Sequence, residues 1–169
     1  MEDATNSPQQ PGSIRAIRRD GFFAVIPPAA RWFGLMGAIP FMVLSFGGEF
    51  LSPAHQSYAQ FSLMAYGAVI LSFLGGVHWG RAIVPPEHGR LEDKTLWVPL
   101  AISVTPSLFG WGALLVPRFI ALPILAASFA AMLLIDLFMV RIGSLPEWYG
   151  NLRVILSAVV VASLLFAWV

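Results

Sequence analysis

The chain has 169 residues, of which 57% are hydrophobic and only 11% charged, with a net charge of +1. Mean hydropathy is +0.75. A soluble domain carries about 25% charged residues, so this composition describes an integral membrane protein. The near-zero net charge gives no field for a nucleic-acid partner. The absence of cysteine excludes disulfides, thiolate metal sites and cysteine catalysis.

In chain order, residues 1–13 are polar and rich in proline and glycine, and are expected to be disordered. Residues 14–26 are basic and aromatic, as in a weak amphipathic element at a membrane interface. Residues 1–26 thus form an interfacial N-terminal segment, and 27–169 the membrane domain. Five apolar segments are predicted as spanning helices, at about 29–48, 58–82, 95–116, 118–140 and 152–169. At about 1.5 Å per residue each can cross a hydrocarbon core of about 30 Å. The fold class is therefore all-α, a five-span bundle. Period-two alternation is missing, which argues against strands.

Of ten Lys and Arg residues, nine fall on one side of this topology: Arg15, Arg18, Arg19, Arg31, Arg81, Arg90, Lys94, Arg141 and Arg153. Only Arg118 falls on the other. The positive-inside rule then puts the N-terminus in the cytoplasm and the C-terminus on the exoplasmic side. A bacterial inner membrane is expected, or the mitochondrial inner membrane in a eukaryote. The first segment reads as a span rather than a cleaved leader, since no A-x-A site follows it. Trp32, Tyr58, Trp79, Trp97, Trp111, Trp148, Tyr149 and Trp168 lie near segment ends, as interfacial aromatics do.

Ala68, Ser72, Gly76 and Gly80 recur every four residues in the second segment, with Gly75 adjoining. Small residues at this spacing let a second backbone approach, either within the bundle or from a second copy or membrane partner. Ala127 and Ala131, and Ala158 and Ala162, repeat the spacing in the last two segments. Pro40, Pro106 and Pro123 lie inside spans and are expected to kink them.

Charges inside a bilayer are costly, about 2.5–3.5 kcal/mol even on insertion scales, so they usually face partners. Asp136 lies five residues before Arg141, about 7 Å below the cytoplasmic boundary. His78 lies three residues before Arg81, and Arg153 opens the fifth span. His78, Arg81, Asp136, Arg141 and Arg153 are thus expected at similar depth. In the fourth connection, residues 143–153, Trp148 and Tyr149 are expected to anchor in the headgroup layer while Arg153 reaches Asp136. No complete catalytic or metal-ligand constellation is visible, and a haem held by two histidines would lack its second one, because His55 and His88 fall in opposite loops. No cofactor is expected. The leading reading is a non-enzymatic scaffold or assembly factor with a polar clamp. The alternative is a binding or transport protein for a proton-linked solute, lipid or quinone using His78 and Asp136.

The stretches LSFLGGVHWG and LPEWYGNLRVILSAVV, with an acid late in the fourth span, resemble the domain-of-unknown-function family 3429, transmembrane protein 69-like membrane proteins. Gly75, Gly76, His78, Trp79, Gly80, Asp136, Trp148, Tyr149 and Arg153 stand at the positions that carry the resemblance. It implies a small multi-span membrane protein and brings no reaction with it.

Overall fold

The computed structural model describes residues 26–84 and 93–169. The basic N-terminal segment up to residue 25 and most of the loop between the second and third spans lie outside the described residues. Five helices follow one another: α1 Pro28–Phe46, α2 Pro53–Ala82, α3 Asp93–Ala113, α4 Arg118–Arg141 and α5 Glu147–Trp168. All five are long and apolar enough to cross a membrane, and the described residues contain no strand.

The helix ends follow local chemistry. Paired glycines at 47 and 48 loosen the chain, so α1 stops at Phe46 and passes into a 3-10 turn, Gly47–Phe50. Proline sits at or beside the first residue of α1, α2, α4 and α5, where its fixed φ suits a helix start and its missing N–H is not needed. Two helices begin five residues before the expected spans: α2 at Pro53 and α5 at Glu147. Trp148 and Tyr149 therefore belong to the first turn of α5 rather than to a connecting loop. Extended backbone at Pro146 launches that helix, and Glu147 complements its positive end.

The core lies between α1, α2, α4 and α5. Phe41, Leu63, Leu71, Leu122, Leu125, Phe129 and Leu164 are all fully buried there. Phe41 packs edge-on against Phe129 with ring centroids 5.7 Å apart, and against Tyr66 at 5.0 Å. The Tyr66 hydroxyl donates to the Gly37 carbonyl at 2.9 Å, so α2 is pinned to α1 by one polar contact inside an apolar layer. In lipid the hydrophobic drive between helices is absent, and such packing and hydrogen bonds carry the association.

α3 packs on α2 through two close approaches. A side chain at Gly75 would collide with the Ser103 carbonyl. A Cβ at Gly110 would lie 2.9 Å from Ala68 Cα. The contact residues on α2 are thus Ala68 and Gly75, seven apart. The expected four-apart face splits: Ala68 is buried, whereas Ser72, Gly76 and Gly80 are exposed. No described residue comes within 4 Å of a Cβ placed at Gly76 or Gly80. The reason is helical phase. Each step of four advances about 400°, so the row drifts by about 40° per step, and Gly80 ends about 120° from Ala68. Gly75 lies only about 20° from Ala68.

Gly75→Val is expected to destabilise the bundle by about 1–3 kcal/mol or more, because the backbone carbonyl opposite cannot move aside. Gly76→Val should leave stability near wild type. Thermal melting in detergent checks both, and equal losses would refute the assignment of the contact to Gly75.

Candidate functional site

Three helices deliver three ionisable side chains to one point. α2 brings His78, α4 brings Asp136 and α5 brings Arg153. His78 Nε2 lies 2.9 Å from Asp136 Oδ1. Arg153 Nε donates to Asp136 Oδ2 at 2.6 Å. Relative exposures are 3% for His78, 0% for Asp136 and 4% for Arg153. The carboxylate uses one oxygen for each partner. A carboxylate beside a guanidinium is an acceptor only, so His78 presents an Nε2–H to it. The cation offsets the anion, which is the condition for holding either in an apolar interior.

Arg81 does not join this cluster. Its Nε donates to the Ser144 carbonyl at 3.1 Å and its Nη2 to the Ser144 hydroxyl at 2.7 Å. Ser144 is presented by the helix stop that ends α4. Gly143 takes a φ of +73°, which L-residues rarely adopt. Ser144 N–H then reaches the Met139 carbonyl at 2.8 Å, and Gly143 N–H the Val140 carbonyl at 3.0 Å. These are the two bonds of a Schellman cap. Arg81 thereby ties the end of α2 to the α4–α5 turn, one layer outside the triad. Arg141, expected at the same depth, is exposed.

Tyr149 turns inward instead of toward a headgroup layer. Its phenol faces Asp136 and Arg153. Its hydroxyl is buried and makes no hydrogen bond, as are Arg153 Nη2 and Ser157 Oγ. Tyr149, Arg153 and Ser157 are four apart and share one face of α5. Trp148 is half-buried and stacks edge-on with Tyr149, with ring centroids 6.1 Å apart. Neither Tyr149 nor Ser157 is singled out by its type as a buried polar group on the Arg153 face of α5. Their spacing to Arg153 is the signal that finds them, once α5 is known to start at Glu147.

Among the described residues three cavities flank the bundle, one of them a shallow apolar hollow of about 350 Å³ between α3 and α4 near Leu108 and Gly112. A second, of about 270 Å³, lies between α1, α2, α4 and α5 and has Arg153 in its wall. The third, about 720 Å³, is a cleft between α3 and α4 bordered by Trp97, Phe109, Ala127 and Ala131. Its two hydroxyls are already engaged in their own helices: Thr105 with the Ala101 carbonyl and Ser128 with that of Ile124, both at 2.7 Å. That cleft offers mainly apolar contact. His55 lies near the other end of α2, hydrogen-bonded to Ser52 at 2.7 Å, far from His78. Among the described residues no three His, Cys, Asp or Glu side chains gather at metal-binding distance.

Replacing the whole triad by apolar groups of similar size, His78→Leu with Asp136→Leu and Arg153→Met, is expected to retain a folded bundle within about 2 kcal/mol of wild type, whereas Arg153→Met alone should lose about 3–5 kcal/mol. Melting of the two proteins in the same detergent checks the ordering.

The family described as "Protein of unknown function (DUF3429)" matches residues 26–169, which include every residue of the triad. A Xenopus tropicalis protein named Transmembrane protein 69 is 35% identical over 138 residues, covering 82% of this chain and 53% of the relative. Its Mus musculus namesake is 33% identical over 138 residues, covering 79% and 52%. The chain thus spans about half the length of these relatives. No solved structure matches. A match across the whole membrane domain, with relatives above 30% identity, settles the kinship: the chain belongs to the DUF3429 family of transmembrane proteins.

Proposed function

We propose that this protein is a non-enzymatic membrane scaffold or assembly factor, held in shape by the His78–Asp136–Arg153 clamp. The observation that carries the reading is that both oxygens of Asp136 are bound by neighbouring helices. Each of its oxygens is engaged by another helix and it is fully buried, so neither oxygen is open to a substrate. Each partner comes from a different helix. The charges of the site thus act on the arrangement of α2, α4 and α5. The open strip of Ser72, Gly76 and Gly80 is the surface the reading assigns to a membrane partner or a second copy. The nine-to-one bias of basic residues supports a cytoplasmic placement of the clamp end, in a bacterial inner membrane or the mitochondrial inner membrane.

A second reading, binding or transport of a lipid, quinone or proton-linked solute, draws support from the cavity beside Arg153. Within it Asp136 would act as the anchor of Arg153 rather than as the group that meets the ligand.

Asp136→Ala should lower stability by about 3–5 kcal/mol, because it leaves Arg153 buried without its anion. Glu147→Ala, at the exposed start of α5, should change it by less than about 0.5 kcal/mol. Equal melting temperatures would remove the clamp. Since the chain has no cysteine, Gly80→Cys provides a single cross-linking handle in native membranes. Cross-linking to a discrete membrane protein or to a second copy is expected, and a wholly monomeric product would count against the scaffold.

A further inference from the structure

We infer that Pro123 and Trp168 form a hinge and its catch at the end of the bundle opposite the triad. The indole of Trp168 holds the α4 carbonyl that Pro123 leaves without a donor, and so ties the first turn of α4 to the last turn of α5.

An α-helix pairs each carbonyl with the N–H four residues on. Pro123 stands inside α4 and has no N–H, so the Phe119 carbonyl loses that partner, and the proline ring crowds the oxygen out of line. In a membrane an unmet backbone carbonyl is costly. Trp168, the last residue of α5, meets this one: its Nε1 donates to the Phe119 oxygen at 3.1 Å. An indole nitrogen is a donor only, which suits a bare carbonyl. Of the carbonyls that Pro40, Pro106 and Pro123 free, this is the one that takes a side-chain donor among the described residues. Trp168 thus has a fixed partner, which an aromatic resting at a membrane interface does not need.

The contact stands where α4 and α5 would otherwise splay. Asp136 and Arg153 tie the two helices near one end. Phe119 lies about 25 Å from Asp136 along α4, and Trp168 about 22 Å from Arg153 along α5. An antiparallel pair pinned near both ends keeps one crossing. Between the ties Leu122, Leu125, Val160 and Leu164 are buried. Past them the packing thins. Ala121 and Ala167 are buried but small, while Phe119, Ile120, Leu165 and Phe166 are exposed. Apolar contact alone is sparse at this end, and the hydrogen bond closes it.

The hinge is local. Only Arg118 to Leu122 precede the proline in α4. The Ile120 and Ala121 N–H groups both reach the Pro117 carbonyl, at 2.9 and 3.0 Å, so this first turn is closed on itself. When the indole lets go, the turn swings about Pro123 as one piece, and the rest of α4 keeps its hydrogen bonds.

The test is a double-mutant cycle on the full chain in detergent, read by the folding equilibrium and by hydrogen exchange of residues 118–122. Trp168→Phe keeps an aromatic ring and removes the donor. It should lower the folding equilibrium constant about threefold to tenfold, as the loss of one hydrogen bond implies, and speed exchange in the first turn of α4. Pro123→Ala favours the helix and restores an N–H, so the Phe119 carbonyl regains its own helical bond. In that background Trp168→Phe should change the constant by less than about twofold and leave the exchange unaltered. Phe166→Leu is the control. Phe166 packs on Phe46 with ring centroids 4.4 Å apart and has no donor for the carbonyl, so its cost should be the same in both backgrounds. An equal cost of Trp168→Phe in the two backgrounds would make Trp168 an interfacial anchor and overturn the catch. No cost in either background, or unchanged exchange at residues 118–122 in Trp168→Phe alone, would overturn it as well.

Discussion

A carboxylate placed in the apolar interior of a bundle must be neutralised where it stands, and the arrangement of the helices follows from how Asp136 achieves this. Its two oxygens point to two different helices, one to His78 on α2 and one to Arg153 on α5. In hydrocarbon no water can take over either role, so the three helices hold their mutual depth and rotation or leave a charge exposed to low dielectric. Dispersion between leucines is tolerant of sliding; this contact is not. The triad therefore fixes the register of α2, α4 and α5 at one end of the bundle, while Phe41, Tyr66 and Phe129 fill the layer below it.

The remaining two helices are placed by other means. α3 is held by backbone proximity at Gly75 and Gly110, a contact with no polar side chain in it. Because it leans on α2, it stands away from α4 and leaves the apolar cleft that Ala127 and Ala131 border. α1 is held by the Tyr66 hydroxyl and by its fit against α5, where Gly34 receives Leu152 and Leu156. The chain thus uses charge pairing for the inner three helices and shape for the outer two. Arg81 adds a strut outside the triad, gripping the turn that Gly143 makes possible.

The same economy of donors and acceptors defines what the site can do. Asp136 is satisfied, so it is a poor general base. Arg153, Tyr149 and Ser157 each keep an unused polar atom on a single face of α5.

Much of this was legible from residue types and spacing. Five apolar runs, the basic bias of one side and the shared depth of His78, Asp136 and Arg153 follow from local composition, because the bilayer penalises every uncompensated charge at a depth the chain length itself sets. The starts of α2 at Pro53 and of α5 just after Pro146 were written in proline positions as well, although hydropathy alone begins both spans too late. The sequence by itself determined the all-helical class, the number of spans and the end of the bundle at which the polar residues meet. Only the tertiary structure decided which helix face α3 takes. Rows four apart and seven apart both pass through Ala68, and a drift of about 40° per step separates them only once a neighbour is in place. It alone decided that Arg81 grips Ser144 and stays out of the cluster in which Arg153 meets Asp136, as the position of Arg153 suggested. Both arginines lie at similar depth, and depth is one coordinate; the rotation of each helix about its axis, set by packing, supplies the other.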